Sequence, residues 1–110
     1  MDDSTFEALA EAELARIEQA FDASGVDADI EPKGDGVLEI EFSDGSKIIV
    51  NRHAAAREIW VAARSGGFHY RYDGQRWVNT RDGGELYAAL SRLATEQSGS
   101  TVALAAPQAD

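Results

Sequence analysis

Eight carboxylates near the start of the chain carry the most evident chemistry: Asp3, Glu7, Glu11, Glu18, Asp22, Asp27, Asp29 and Glu31. At about 100° per residue, the first five fall within an arc of roughly 100° on one helix. Like charges four residues apart, such as Glu7 and Glu11 or Glu18 and Asp22, cost a few tenths of a kcal/mol each. A helix built only for stability would place Lys or Arg between them, and Arg16 is the only base there. The remaining three acids alternate with Val26, Ala28 and Ile30, so the ridge continues onto a first strand. Carboxylate oxygens are hard ligands that suit Fe²⁺ and Fe³⁺, and also Ca²⁺, Mg²⁺ and Mn²⁺. A row on a helix surface offers one or two ligands per ion and leaves the rest to water. Such sites are weak and poorly selective. The same row also reads as a solvated surface, or as a surface for a basic protein.

Charge is distributed unevenly along the chain. The 110 residues carry 20 acids against 10 bases, net −10, and position resolves this into −12 over residues 1–44 and +2 over the rest. Asymmetry of this size concerns partners. Nucleic acid is excluded as a direct partner, because duplex binding rests on neutralising phosphates with Lys and Arg. With no cysteine, the chain has no disulfide scaffold, thiolate chemistry or cluster held on its own sulfurs. No apolar run approaches about 18 residues, so no spanning helix is expected. The acidic start, Met1-Asp2-Asp3-Ser4, is the reverse of a signal or transit peptide. A cytoplasmic globular domain over 1–110 is expected, with 44% hydrophobic and 27% charged residues.

The elements that must position the ridge follow from periodicity. Phe6, Leu9, Ala10, Leu14, Ile17 and Phe21 give residues 3–22 one apolar helical face. Asp3 or Ser4 is expected to cap that helix, with Glu7 completing a capping box. Glu13 intrudes on the face and is expected to reach solvent there. Gly25 stops the helix. A strand over Val26–Glu31, a turn at Gly34-Asp35-Gly36 and a strand on Leu38, Ile40 and Phe42 follow. The Asp44-Gly45 turn is a hairpin signal, and Lys47–Asn51 is the return strand. His53–Ala56 reads as a loop and Glu58–Arg64 as a strand. Gly66-Gly67 reads as a turn, Phe68–Tyr72 as a strand and Gln75–Asn79 as the last strand. Residues 83–97 form a second helix capped by Asp82 and ended by Gly99. Thr101–Leu104 is apolar enough to pack back, and 105–110 is expected to fray. Helices at both ends of an uninterrupted meander imply an α+β two-layer sandwich. Both helices cover one face of an antiparallel sheet of about six strands.

Other candidates are fewer. Ile59, Val61 and Ala63 face the core, so Trp60 faces out onto the open sheet, where exposed Trp is a common interface anchor. Asn51 and Arg52 are expected to lie near it. Trp77 reads as core packing. His53 and His69 read as surface residues, His69 on the open side of the sheet. No nucleophile–base–orienter set is evident. The glycine pairs at 66–67 and 83–84 are turns, since neither fits the Gly-x-x-x-x-Gly-Lys phosphate loop.

The most specific stretches are Gly45-Ser46-Lys47-Ile48-Ile49-Val50-Asn51-Arg52, Ile59-Trp60-Val61-Ala62, Gly66-Gly67 and Phe68-His69-Tyr70. With the layout above, they resemble the frataxin family in its bacterial branch, from Asp3 to about Val102. The signature is Ile/Val-Asn-Arg/Lys followed eight residues later by Ile/Val-Trp-Leu/Val. The resemblance implies a non-enzymatic protein that binds iron weakly and regulates iron–sulfur cluster assembly. It also implies partners: the cysteine desulfurase and the scaffold protein. The implied metal residues are Glu11, Glu18, Asp22, Asp27, Asp29 and Glu31, with Asp3 and Glu7 near the start. On the ridge, Glu18 and Asp22 are the expected partner contacts, and Asn51, Arg52 and Trp60 of the open face are expected as further ones. Gln19, Ala23 and Gly25 stand where relatives often carry further acids, so the ridge is thinner in its middle. His53 and Glu58 stand where glutamine is usual. A monomer is expected, with metal-driven oligomers as a further state. The alternatives are a ferroxidase or iron-storage protein, which would need converged ligands, and an acidic adaptor with incidental metal binding.

Overall fold

The computed structural model describes residues 1–107. Its elements are α1 (Asp3–Ser24), β1 (Ala28–Pro32), β2 (Val37–Phe42), β3 (Lys47–His53), β4 (Glu58–Ala63), β5 (Gly66–Tyr72), β6 (Trp77–Asn79) and α2 (Leu86–Ser98). The six strands pair in chain order, every neighbour antiparallel. Both helices pack on one face, which is the expected two-layer α+β sandwich. Its core joins Phe6, Ile17 and Phe21 of α1 to Ile40, Ile48, Val50, Ile59, Val61 and Tyr70 of the sheet and Leu86, Leu90 and Leu93 of α2. Burying each such large side chain is worth about 1.5–3 kcal/mol. Trp77 is buried as expected, edge-on to Phe6. Among the described residues, no helix is long and apolar enough to cross a membrane.

Element ends differ from expectation where side chains compete for backbone donors. Asp2, in an extended conformation, caps α1 by accepting the Thr5 N–H at 2.8 Å, so neither Asp3 nor Ser4 does. Glu85 caps α2, accepting from Tyr87 and Ala88. Asp82 is spent on the Gly84 N–H instead. The helix therefore starts at Leu86 and not at 83. The β4–β5 turn is Arg64-Ser65. Gly66 and Gly67 already pair with Ala63 and Ala62. Strand β1 starts at Ala28, after a bend at Asp27, and β6 only at Trp77, because Asp73 folds Gln75 and Arg76 into a turn. Strand β3 continues through Arg52 to His53, so His53 is in the sheet and not in a loop.

Glu13 also departs from expectation. It is only 7% exposed, because α2 brings Tyr87 over it. The Tyr87 hydroxyl donates to one carboxylate oxygen and Arg16 pairs with the other at 3.4 Å. The chain after α2 packs back through Val102 and Leu104, held by the Thr95 and Ser91 hydroxyls. Within the segment from 105 that is expected to fray, the Pro107 carbonyl accepts from Arg16 Nη2 at 3.0 Å. Residues 108–110 of that expectation lie outside the described residues.

Candidate functional site: an acidic ridge and an aromatic stack

The ridge begins on α1 because every core-facing position of that helix is taken by apolar side chains, with Glu13 as the exception. Asp3, Glu7, Glu11 and Asp22 are exposed and Glu18 is half-buried. Glu11 and Glu18 border a shallow hollow with Pro32 at the end of β1 and Gly34 and Gly36 of the β1–β2 connection. The ridge then turns a corner. Strand β1 is the edge of the sheet, and Ala28 and Ile30 point to the core. Asp29 and Glu31 therefore lie on the open sheet face, across from Glu41 and Glu39. The helix acids and the strand acids flank one edge from its two sides.

Three of the eight acids are paired. Arg57 from the β3–β4 loop binds Asp3 Oδ1 at 2.8 Å, Arg52 Nη1 meets Glu11 Oε1 at 3.1 Å, and Lys33 Nζ meets Glu31 Oε1 at 3.2 Å. The bond to Glu31 raises the Lys33 pKa. Beside them, Lys47 holds Glu39 and lowers its pKa. Glu7, Glu18, Asp22, Asp27 and Asp29 enter no ion pair among the described residues. No three His, Asp or Glu side chains converge into a cage there either. The ridge is a row, able to offer an ion one or two oxygens at a time.

Arg52 does not lie beside Trp60. It shares the helix-side face of β3 with Ile48 and Val50, and its side chain packs over Gly36 on its way to Glu11. A Cβ at Gly36 would come within 2.9 Å of Arg52 Nε, and its φ is +74°. Glycine is what lets the guanidinium cross there. Asn51, by contrast, is the register partner of Trp60 on the open face.

Trp60 is half-buried on that open face, as the alternation requires, but it is not a lone anchor. His53 stacks on one side of its indole (centroids 3.7 Å apart, planes at 10°) and His69 on the other (4.2 Å, 6°). The indole Nε1–H donates to Glu58 Oε1 at 2.8 Å. Arg71 donates to Glu58 Oε2 at 2.7 Å, and His69 Nδ1 lies 3.6 Å from Oε1. Beside the stack is an apolar trough lined by Val37, Ile49, Ala62 and Phe68. Ile49 in it is 37% exposed. Strand alternation alone puts Trp60 and His69 on this face, but the cluster they join is not evident from it. Its signal was present: Glu58 and Trp60 are two apart on one strand, and a β4–β5 hairpin brings His69 opposite Trp60.

Residues 1–100 match the family model described as the frataxin-like domain. The chain is 60% identical over 104 residues to the iron–sulfur cluster assembly protein CyaY of Dechloromonas aromatica, covering 94% of this chain and 99% of that protein. It is 55% identical over 105 residues to the protein of the same name from Cupriavidus taiwanensis, covering 93% and 95%. Among solved structures, a frataxin from Psychromonas ingrahamii superposes with a TM-score of 0.86 at 34% identity, covering 94% of this chain and 97% of that one.

Proposed function

This chain belongs to the frataxin-like family, and on that premise we propose that it is a non-catalytic protein of iron–sulfur cluster assembly that carries iron as weakly held cargo. The observation that supports this most is the set of carboxylates with no ion pair among the described residues, Glu7, Glu18, Asp22, Asp27 and Asp29, on both sides of one sheet edge. Their oxygens suit Fe²⁺ and Fe³⁺, and other divalent cations compete for them. Asp3, Glu11 and Glu31 belong to the same ridge, each shared with a cation of the chain itself. The relatives' name carries the assembly role. With no cysteine, the chain neither holds a cluster nor carries sulfur through its own thiols. It acts through the ridge, which docks Glu18 and Asp22 on a basic patch of the cysteine desulfurase. The open face around Asn51 and Trp60 meets the desulfurase–scaffold assembly. Arg52 acts from beneath, by holding Glu11.

A titration followed by NMR tests the reading, first with Fe²⁺ under nitrogen and then with the desulfurase. Broadening and shifts are expected to concentrate in residues 3–31. Changes that avoid that segment overturn the ridge assignment. Rapid catalytic loss of Fe²⁺ in air by the monomer overturns the non-catalytic assignment.

A further inference from the structure

Glu58 is a buried carboxylate on the face of the sheet turned away from both helices. Its side chain is 9% exposed, while Ala62 on the same face of the same strand is exposed. A charge taken out of water is stable only with partners. Glu58 has three: the Trp60 indole N–H, the Arg71 guanidinium and, further off, His69 Nδ1. None of them belongs to the core beneath, where Ile59 and Val61 of this strand pack. The rings are held in turn. His53 sits across from Glu58 in register, and its Nδ1 accepts the Ala56 N–H at 3.3 Å. His69 sits across from Trp60. A buried carboxylate is thus spent on orienting one indole at the surface.

We propose that Glu58 is a positioning residue for Trp60: it holds the indole between His53 and His69 with its N–H turned inward, so that a partner meets a rigid three-ring stack and the trough beside it. This rests on the reading that the open face meets the desulfurase–scaffold assembly. An indole already fixed loses little freedom when a partner closes on it. It also presents no free N–H, so the partner surface it fits is apolar over the indole and polar only where it meets the imidazole edges and Asn51.

The experiment compares the wild-type chain with Glu58→Ala and Glu58→Gln. The readouts are the Trp60 Nε1–H signal, its exchange with solvent, the ring protons of His53 and His69, and affinity for the desulfurase–scaffold complex. The Trp60 signal is assigned by its loss in Trp60→Phe, and the Trp77 signal reports the fold. Glu58→Ala is expected to speed exchange of the Trp60 N–H and move the imidazole protons toward free-histidine positions. The Trp77 signal should stay, and affinity should fall about three- to tenfold. Glu58→Gln, whose amide oxygen still accepts from the indole, is expected to restore most of both. Ring signals in Glu58→Ala like those of the wild type overturn the proposal. If Glu58→Ala does not fold, the wild-type chain decides: a Trp60 N–H exchanging as fast as free indole overturns it. Released rings with unchanged affinity, while Glu18→Lys with Asp22→Lys still weakens binding, overturn the partner role of this face and leave the ridge reading standing.

Discussion

Tyr87 on α2 donates its hydroxyl to the Glu13 carboxylate on α1, inside the interface of the two helices. Through Arg16 the same carboxylate is tied to the Pro107 carbonyl. Tyr87→Phe leaves a buried acceptor short of a donor, which costs about 1–3 kcal/mol. The midpoint of urea unfolding should drop accordingly. Glu13→Gln keeps an acceptor for the tyrosine and should cost less than Glu13→Leu, which strands the hydroxyl and leaves Arg16 only the Pro107 carbonyl and water.

The same pair bears on alkaline stability. Burial first, and then the Glu13 carboxylate, push the Tyr87 hydroxyl far above the ordinary phenol range, and burial raises Tyr70 as well. Both groups bind their protons more tightly folded than unfolded. Their contribution is therefore fully present below the unfolded value of about 10 and is lost as pH rises beyond it. Ultraviolet titration should show tyrosines that resist ionisation until the chain unfolds, and Tyr87→Phe should remove one of them.

Reversing charge at Glu18 and Asp22 to Lys should leave the fold intact, since neither side chain enters an ion pair among the described residues. Association with the desulfurase should slow on the order of tenfold or more at low salt, and the difference should shrink as salt screens the field. Stopped-flow rates at two ionic strengths measure it.

Arg52→Met should act in two directions. It removes the cation that competes for Glu11, so Fe²⁺ binding to the ridge should tighten by up to about fivefold, the scale of an ion pair whose carboxylate is open to solvent. It also removes the guanidinium packed over Gly36, so thermal stability should fall. Calorimetric titration and thermal melts read the two effects separately.

The fold was legible where periodicity decides. Phe6 to Phe21 mark one face of α1, and the alternation of Leu38, Ile40 and Phe42, or of Ile59, Val61 and Ala63, sets the sheet's two sides. Helix starts were not, because Asp2, Asp3 and Ser4 all offer a capping oxygen and only backbone conformation chooses among them. Glu13 was not either, since Tyr87 lies 74 residues away. The ridge was legible as positions, but its pairing was not: Arg57, Arg52 and Lys33 arrive from loops and a strand. Arg52 shows how nearness in sequence misleads. The alternation that turns Ile48 and Val50 inward also turns Arg52 inward, away from the tryptophan to which it was assigned.

Strand β1 is also an edge of the sheet, paired on one side only among the described residues. Free borders invite a second copy to extend the sheet. Here the border carries Asp29 and Glu31 and ends on Pro32, which has no N–H to give. Two such borders laid side by side would set carboxylate against carboxylate. On the proposed reading, the carboxylates that take cations also guard against self-association, and a cation that discharges them lowers that guard.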